Sequence, residues 1–94
     1  MTKSELATAF AAEFDFSERR ARSIIDTILD EMSEALARGE GIQLRGFGTF
    51  TIKHYRPYTG LNPKTLERVN VKAKRKPVFK VGKQLKKAVD KNRS

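Results

Sequence analysis

The sequence predicts an α+β fold in which two N-terminal helices precede a three-stranded antiparallel sheet and a short C-terminal helix. Apolar residues recur at helical spacing through residues 3–38 and alternate with polar residues, at the period of a strand, over residues 42–53. A basic, turn-rich stretch without an apolar face, RPYTGLNPKTLER, then occupies residues 56–68. These observations indicate a small body from which a hairpin arm, about residues 53–76, projects.

Capping residues mark where the two N-terminal helices begin. Thr2 followed by Glu5 fits a capping box and predicts a first helix over about residues 3–14. Ser17 is the predicted N-cap of the second helix, which we expect to end at Gly39. Its apolar stripe runs over about five turns and is expected to be mostly core.

This stripe is broader than a three-stranded sheet can cover. The arm leaves about 70 residues of this 94-residue chain to supply a core, a size at which oligomers are common. We therefore predict a two-fold dimer in which the helical part, residues 1–41, forms much of the interface. The residues assigned to this interface or to the core are Ile25, Ile28, Leu29, Met32, Leu36, Leu44, Phe47, Phe50 and Phe79.

The sheet and its arm are predicted to occupy residues 42–82. Gly46 and Gly48 supply the first hairpin turn, and the second strand is expected to continue through Lys53 to Arg56 into the arm. The return strand is expected from Arg68 to Lys76, and at about 8 residues each the arm strands would project on the order of 25 Å. Residues 83–94 form the last helix and a tail, with Leu85, Ala88 and Val89 facing inward.

Charge is distributed unequally along the chain. Residues 1–44 carry five Lys or Arg against nine Asp or Glu, a net charge of −4, and residues 45–94 carry fifteen against two, a net charge of +13. A basic half with this excess, in a chain of pI near 10.2, points to a polyanion and most often to nucleic acid. The alternative is a solvated face that serves only solubility.

Catalysis and cofactor binding have little support in the sequence. There is no Cys and one His, and His54 lacks nearby carboxylate or imidazole partners, so we expect no enzyme, no metal site and no cofactor. No apolar run approaches the roughly 18 residues of a membrane span, so a cytoplasmic protein without a membrane partner is expected.

Basic residues on the arm and body form a track suited to phosphate groups, which set affinity without reading sequence. Pro63 lies at the arm tip beside the apolar Leu61, where a rigid exposed ring is suited to wedge between base steps, although an ordinary turn proline is the alternative. The arm residues predicted to contact nucleic acid are Lys53, Tyr55, Arg56, Tyr58, Leu61, Lys64, Arg68, Lys72, Lys74 and Arg75, around Pro63 itself.

Motifs spread over the whole chain carry a resemblance to a known family. Gly46-Phe47-Gly48-Thr49-Phe50, Asn62-Pro63-Lys64-Thr65, Pro77, Phe79-Lys80 and Gly82-Lys83 resemble the HU and integration host factor family of bacterial DNA-bending proteins. The opening MTKSEL and the segment LRGFGTF are most similar to the integration host factor beta subunit. The insertion of apolar wedges into the minor groove is a general description of this family.

The resemblance implies an intertwined dimer whose arms enter the minor groove of double-stranded DNA, with Pro63 intercalating at two kinks. It also implies minor-groove contacts by Arg56, Gly60, Asn62, Lys64 and Thr65, and body contacts to flanking DNA by Lys3, Gln43, Arg45, Gly46, Lys80, Lys83 and Lys86. The chain departs from the family pattern at Leu61 and Tyr58, where Arg is common, at Leu66, where Gly is usual, and at Gln43, where the beta subunit has Glu. HU-like, weak or shape-dependent binding is therefore expected.

Three alternatives stay open at this point. The partner protomer can be an identical chain or a paralogue. The same basic ribbon could belong to an RNA-binding or ribosome-associated protein, although the minor groove of duplex RNA is wide and shallow. A protein-interaction module that uses the acidic helical half would make the basic half incidental.

Overall fold

Residues 1–91 are described by a computed structural model, and within them eight secondary-structure elements follow one another. Two helices come first, then five strands, then a third helix. Their bounds are α1 Lys3–Phe14, α2 Glu18–Ala37, β1 Ile42–Leu44, β2 Gly48–Tyr55, β3 Tyr58–Leu61, β4 Arg68–Val71, β5 Lys74–Val81 and α3 Lys83–Lys91. The predicted α+β order of elements is confirmed, and the predicted tail beyond residue 91 lies outside the described residues.

The helix ends follow from local hydrogen bonds. Thr2 Oγ1 accepts from the backbone N–H of Glu5, and Ser17 Oγ accepts from that of Arg20, each at 3.1 Å, which confirms both predicted N-caps. The Glu5 carboxylate accepts from the Thr2 hydroxyl at 3.2 Å. In a capping box this carboxylate would instead accept from the backbone N–H of Thr2. Helix α2 ends at Ala37, two residues before the predicted Gly39, which takes a φ of 86° just beyond it.

The strands form two separate antiparallel sheets. Strands β1, β2 and β5 make a three-stranded sheet with β2 in the centre, and β3 pairs with β4 alone. The predicted turn between β1 and β2 is present, because the Leu44 carbonyl accepts from the Phe47 N–H at 2.9 Å and Gly46 adopts a φ of 83°. Gly48 has no room for a side chain, since a Cβ there would lie 2.5 Å from the Lys80 carbonyl oxygen and the Phe79 ring.

A single chain buries very little apolar surface. The buried apolar side chains among the described residues are Ala7, Ala11, Ala21 and Ile25, with Phe10 packed against them between α1 and α2. Of the residues predicted as core or interface, Ile25 is buried, and Met32, Leu36 and Phe50 are half-buried. The other five are exposed in the single chain, so they do not form its core, and their assignment to the dimer interface stays a prediction: Ile28, Leu29, Leu44, Phe47 and Phe79.

The chain is more extended than a compact domain of its length, and its arm is not one continuous ribbon. The chain measures 59 Å along its longest axis with a radius of gyration of 19.2 Å, whereas a compact domain of this length has about 12 Å. The first arm strand ends at Tyr55 instead of Arg56, β3 then lies within the stretch expected to be a loop, and the predicted return strand is interrupted at Lys72–Ala73. Pro57 has no backbone N–H to donate to a ladder, which favours a break there.

Helix α3 begins directly after the sheet. The Gly82 N–H donates to the Phe47 carbonyl at 2.8 Å, and a Cβ at Gly82 would come within 3.1 Å of that carbonyl group. Leu85 is half-buried as predicted, but Ala88 and Val89 are exposed, which contradicts their predicted inward position within a single chain. The close contact at Gly82 places the start of α3 beside the β1–β2 turn.

Candidate nucleic-acid interface

The arm tip is a closed turn that holds Pro63 at its apex. The backbone N–H of Asn62 donates to the Glu67 carbonyl at 2.8 Å, and the Leu66 N–H donates to the Asn62 carbonyl at 2.7 Å. Inside this turn, Asn62 Oδ1 accepts from the Lys64 N–H at 2.9 Å, an Asx turn that spans Pro63. The exposed pyrrolidine ring is therefore carried by a turn with three hydrogen bonds.

Apolar side chains surround Pro63 at the tip. Leu61 is 59% exposed and Leu66 is 72% exposed, so both side chains are largely open to solvent. Leu66 was not among the predicted site residues, and it adopts a φ of 60°, a left-handed conformation that branched or bulky side chains rarely take. The usual Gly at this position of the family was the sequence signal for such a backbone.

The outer part of the arm, β3 with β4, supports the tip. Tyr58 pairs with Val71, Gly60 with Val69 and Leu61 with Arg68 across the ribbon. Thr59 Oγ1 donates to Asn70 Oδ1 at 3.3 Å, which joins the two strands through side chains as well. The predicted cations of this part and of the tip are solvent-exposed: Arg56, Lys64 and Arg68, together with Thr65.

The inner part of the arm, formed by residues 53–55 of β2 and 74–76 of β5, concentrates positive charge around one tyrosine. The ammonium groups of Lys53, Lys74 and Lys76 lie 5.5, 5.7 and 5.9 Å from the centroid of the Tyr55 ring. Lys53 is also the direct cross-strand partner of Lys76, and like charges so placed destabilise a pair of strands. The ring attracts the three cations, and a bound anion would relieve their mutual repulsion.

The predicted body residues form a row across the sheet and the start of α3. Gln43 in β1 pairs with Thr49 in β2, which pairs in turn with Lys80 in β5. The β1–β2 turn, with Arg45 and Gly46, lies against α3, because a Cβ at Gly46 would collide with the Gln84 side chain. The cations of this surface are exposed to solvent: Arg45, Lys80, Lys83 and Lys86.

Two predicted DNA contacts are engaged within the protein. Lys3 Nζ forms an ion pair with Asp26 Oδ1 at 2.7 Å, which joins α1 to α2. Arg75 Nη2 donates to the backbone carbonyl oxygen of Ala37 at 3.2 Å, at the C-terminal end of α2. The sequence gives no signal for either contact, since the partners are 23 and 38 positions apart.

Neither a metal-binding cluster nor a membrane-spanning helix is found in residues 1–91. His54 is exposed in β2 opposite Arg75, and no three His, Asp or Glu side chains of this part of the chain come together as metal ligands. None of the helices described has the length and apolar character needed to cross a bilayer.

Comparison with known proteins identifies the family. The family model described as bacterial DNA-binding protein matches residues 1–90. The chain belongs to this family. Its members of the HU and integration host factor type are DNA-binding architectural proteins and not enzymes, so the resemblance found in the sequence and the expected absence of catalysis are confirmed by family membership.

Relatives within the bacterial DNA-binding family cover nearly the whole chain. Integration host factor subunit beta of Cupriavidus pinatubonensis is 50% identical over 93 residues, which are 98% of this chain and 68% of that protein. The same subunit of an Azoarcus species is 47% identical over 91 residues, 96% of this chain and 97% of that protein. The similarity to beta subunits predicted from the sequence is thereby confirmed.

Solved structures of the family share the fold. An Anabaena HU–DNA cocrystal structure matches with a TM-score of 0.83 at 32% identity, covering 95% of this chain and 97% of that one. HU from Thermotoga maritima, in its V42I form, matches with a TM-score of 0.69 at 34% identity, covering 95% and 99%. The predicted fold class is confirmed by these neighbours.

Proposed function

We propose that this chain is an architectural protein that acts as a dimer, binds the minor groove of double-stranded DNA with two β-ribbon arms and bends the duplex by inserting Pro63. The observation that carries the proposal is the tip geometry, in which hydrogen bonds through Asn62 display an exposed proline ring at the end of a cationic ribbon. An apolar wedge held in this way can unstack a base step and kink the duplex toward the major groove.

Affinity in this proposal comes mainly from phosphate contacts. Lys53, Lys72 and Lys74 lie along the exposed arm, and Arg45, Lys80 and Lys83 continue the positive charge over the body. Neutralising phosphates releases condensed counterions from DNA, which gives salt-dependent binding without base readout. A bend brings flanking DNA toward the body cations, so the cost of bending is offset by additional contacts.

The dimer is supported by the surface that a single chain leaves uncovered. Ile28 is 51% exposed on α2 and Phe47 is 48% exposed beside the sheet. The Phe79 ring lies 5.6 Å from that of Phe47 and 4.9 Å from that of Phe50, and it is itself exposed. We assign residues 1–41 to dimerisation, residues 42–82 to the sheet and arm, and residues 83–94 to the last helix and tail; the partner is an identical chain or a paralogue.

Weak or shape-dependent site preference fits the tip better than base-specific recognition. Leu61 and Tyr58 supply apolar and aromatic surface to the minor groove, where the hydrogen-bonding pattern distinguishes little beyond A·T from G·C. Gln43, in β1, carries a side-chain amide that can both donate to and accept from a base edge. Selection would then depend on how easily a sequence kinks.

In the cell, we place this protein in the cytoplasm on the bacterial nucleoid. A dimer that compacts or bends DNA serves nucleoid organisation and the assembly of recombination, replication or transcription complexes. These processes share the need to bring distant DNA segments together against the stiffness of the duplex.

Energy transfer between the two ends of a labelled DNA duplex tests binding and bending together. We expect a saturable rise in transfer when the protein is added, and efficient competition by unlabelled duplex DNA but not by duplex RNA of equal length. Equal competition by duplex RNA would favour the RNA-binding alternative. Binding with no change in transfer would contradict bending.

A further inference from the structure

Arg75 connects the arm to the helical part of the molecule. Its Nη2 donates to the carbonyl oxygen of Ala37, the last residue of α2 and 38 positions away in sequence. The end of a helix leaves carbonyl groups without intrahelical donors and carries the negative end of the helix dipole. A guanidinium donor at this point therefore completes the helix end as well as tethering the arm.

The local hydrogen bonds at the end of α2 leave the Ala37 carbonyl for this contact. The Glu40 N–H donates to the Ala35 carbonyl at 2.9 Å and the Gly39 N–H donates to the Leu36 carbonyl at 3.0 Å, the pattern of a Schellman motif. That motif satisfies the two preceding carbonyls from the helix's own chain. The Ala37 carbonyl instead takes its donor from β5.

Neighbouring residues leave room for the Arg75 side chain. The Arg38 side chain turns to Glu40, with Nε 3.3 Å from Oε1, and this hydrogen bond raises the pKa of Arg38 above its ordinary value. Arg38 is therefore held by its own local partner. At Gly39 an added Cβ would stand 3.5 Å from Arg75 Nη1, an ordinary van der Waals distance, so the guanidinium lies directly beside the helix end.

The contact lies at the root of the arm, just inside its break. Arg75 pairs with His54 in the inner part of the arm, and the interruption at Lys72–Ala73 ends two positions before it. Side chains of Leu36 and Ala37 from α2 line one groove together with Ile52, Arg75 and Pro77. The outer part of the arm, β3 with β4, is joined to the body through this inner part. A tether on the inner part therefore affects the direction of the whole arm.

We propose that Arg75 is a positioning residue that fastens the root of the arm to the C-terminal end of α2 and fixes the direction in which the arm leaves the body. This positioning role replaces the phosphate contact that the sequence predicted for Arg75. Its consequence for bending rests on the proposed function, because a correctly directed arm matters only if the arm grips DNA. The tether itself is a property of the free protein.

Distance distributions in the free protein test the tether directly. The chain has no native Cys, so spin labels can be placed at Asp30→Cys on α2 and Arg56→Cys at the end of the inner part of the arm, with excess unlabelled chain added to isolate distances within one protomer. We expect Arg75→Met to widen the distribution at least twofold. Lys72→Met, which removes one arm charge next to the break, should leave the width unchanged, and Arg75→Lys should give an intermediate width.

DNA bending by the same variants, without the labels, separates the two proposals. We expect Arg75→Met to lower end-to-end energy transfer at saturation by at least a third, whereas Lys72→Met should weaken affinity and leave saturated transfer intact. An unchanged distance width in Arg75→Met would overturn the tether, whatever the effect on DNA. A widened distribution in a protein that does not bend DNA even as wild type would retain the tether and reject the proposed function.

Discussion

Asn62 Oδ1 accepts a hydrogen bond from the backbone N–H of Lys64 at 2.9 Å, so the side chain that precedes Pro63 and the backbone that follows it are joined. The Asn62 carbonyl accepts from Leu66 in the same turn at 2.7 Å. Asn62 therefore binds the backbone that follows Pro63 twice, once through its side chain and once through its carbonyl. The orientation of the proline ring depends on Asn62 as much as on the fixed φ of proline.

Replacing Asn62 with Ala should loosen the apex. The variant loses the Asx hydrogen bond, which contributes on the order of 1 kcal/mol, so the ratio of closed to open apex should fall about fivefold. Saturated bending, measured by energy transfer, should fall partway toward that of a protein without a wedge. Asn70→Ala is the matched control, because it removes the bond to Thr59 in the ribbon but leaves the apex intact. Equal effects of both variants would contradict a specific role for Asn62.

Leu66→Gly should stabilise the tip turn. The left-handed conformation at φ 60° costs a residue with a Cβ roughly 1 kcal/mol, which glycine does not incur. Hydrogen exchange of the amide at position 66, which donates to the Asn62 carbonyl, should slow about three- to fivefold relative to Leu66→Ala. Leu66→Ala removes the same side chain but keeps the Cβ. Faster exchange in the glycine variant would show that the backbone is not strained there.

Binding should depend steeply on salt concentration. If each protomer neutralises about 6 phosphates, the slope of log affinity against log salt is near −5 per protomer, at about 0.9 per phosphate. Lys64→Gln should reduce the magnitude of this slope by about 1. Arg22→Gln, at an exposed position of α2 outside the predicted interface, should leave it unchanged. A slope near zero for the wild type would exclude electrostatic binding.

Ile28→Glu should dissociate the proposed dimer. This side chain is 51% exposed in a single chain, and burial of a carboxylate in an apolar interface without a partner is strongly unfavourable. Sedimentation at micromolar concentration should show a dimer for the wild type and for Thr27→Glu, which lies on the outer face of α2. The Ile28 variant should sediment as a monomer or unfold. A stable folded monomer of the wild type would refute the dimer.

The sequence was most informative where the structure is decided locally. The caps at Thr2 and Ser17, the turn at Gly46 and the alternation around Phe50 each depend on nearby residues, and the helices and sheet follow from them. The basic ribbon and its turn at Pro63 were predictable for the same reason, since no apolar face can draw this stretch into a core.

Long-range contacts were the part that the sequence did not reveal. The Arg75–Ala37 bond joins residues 38 positions apart, and an Arg among several arm cations carries no mark of its partner. The break at Arg56–Pro57 has a local cause, because proline cannot donate to a strand ladder, but it was not predicted, and the facing break at Lys72–Ala73 depends on strand pairing. Exposure of Phe47 and Phe79 likewise reflects how little of the apolar surface one chain can cover.

End-to-end energy transfer on a DNA duplex saturated with Pro63→Ala tests the wedge most directly. Pro57→Ala is the matched control, because it replaces an exposed proline of the same arm away from the tip. We predict that Pro63→Ala loses much of the bending and keeps most of its salt-sensitive affinity, while Pro57→Ala bends DNA as the wild type does. Undiminished bending by Pro63→Ala would contradict the account.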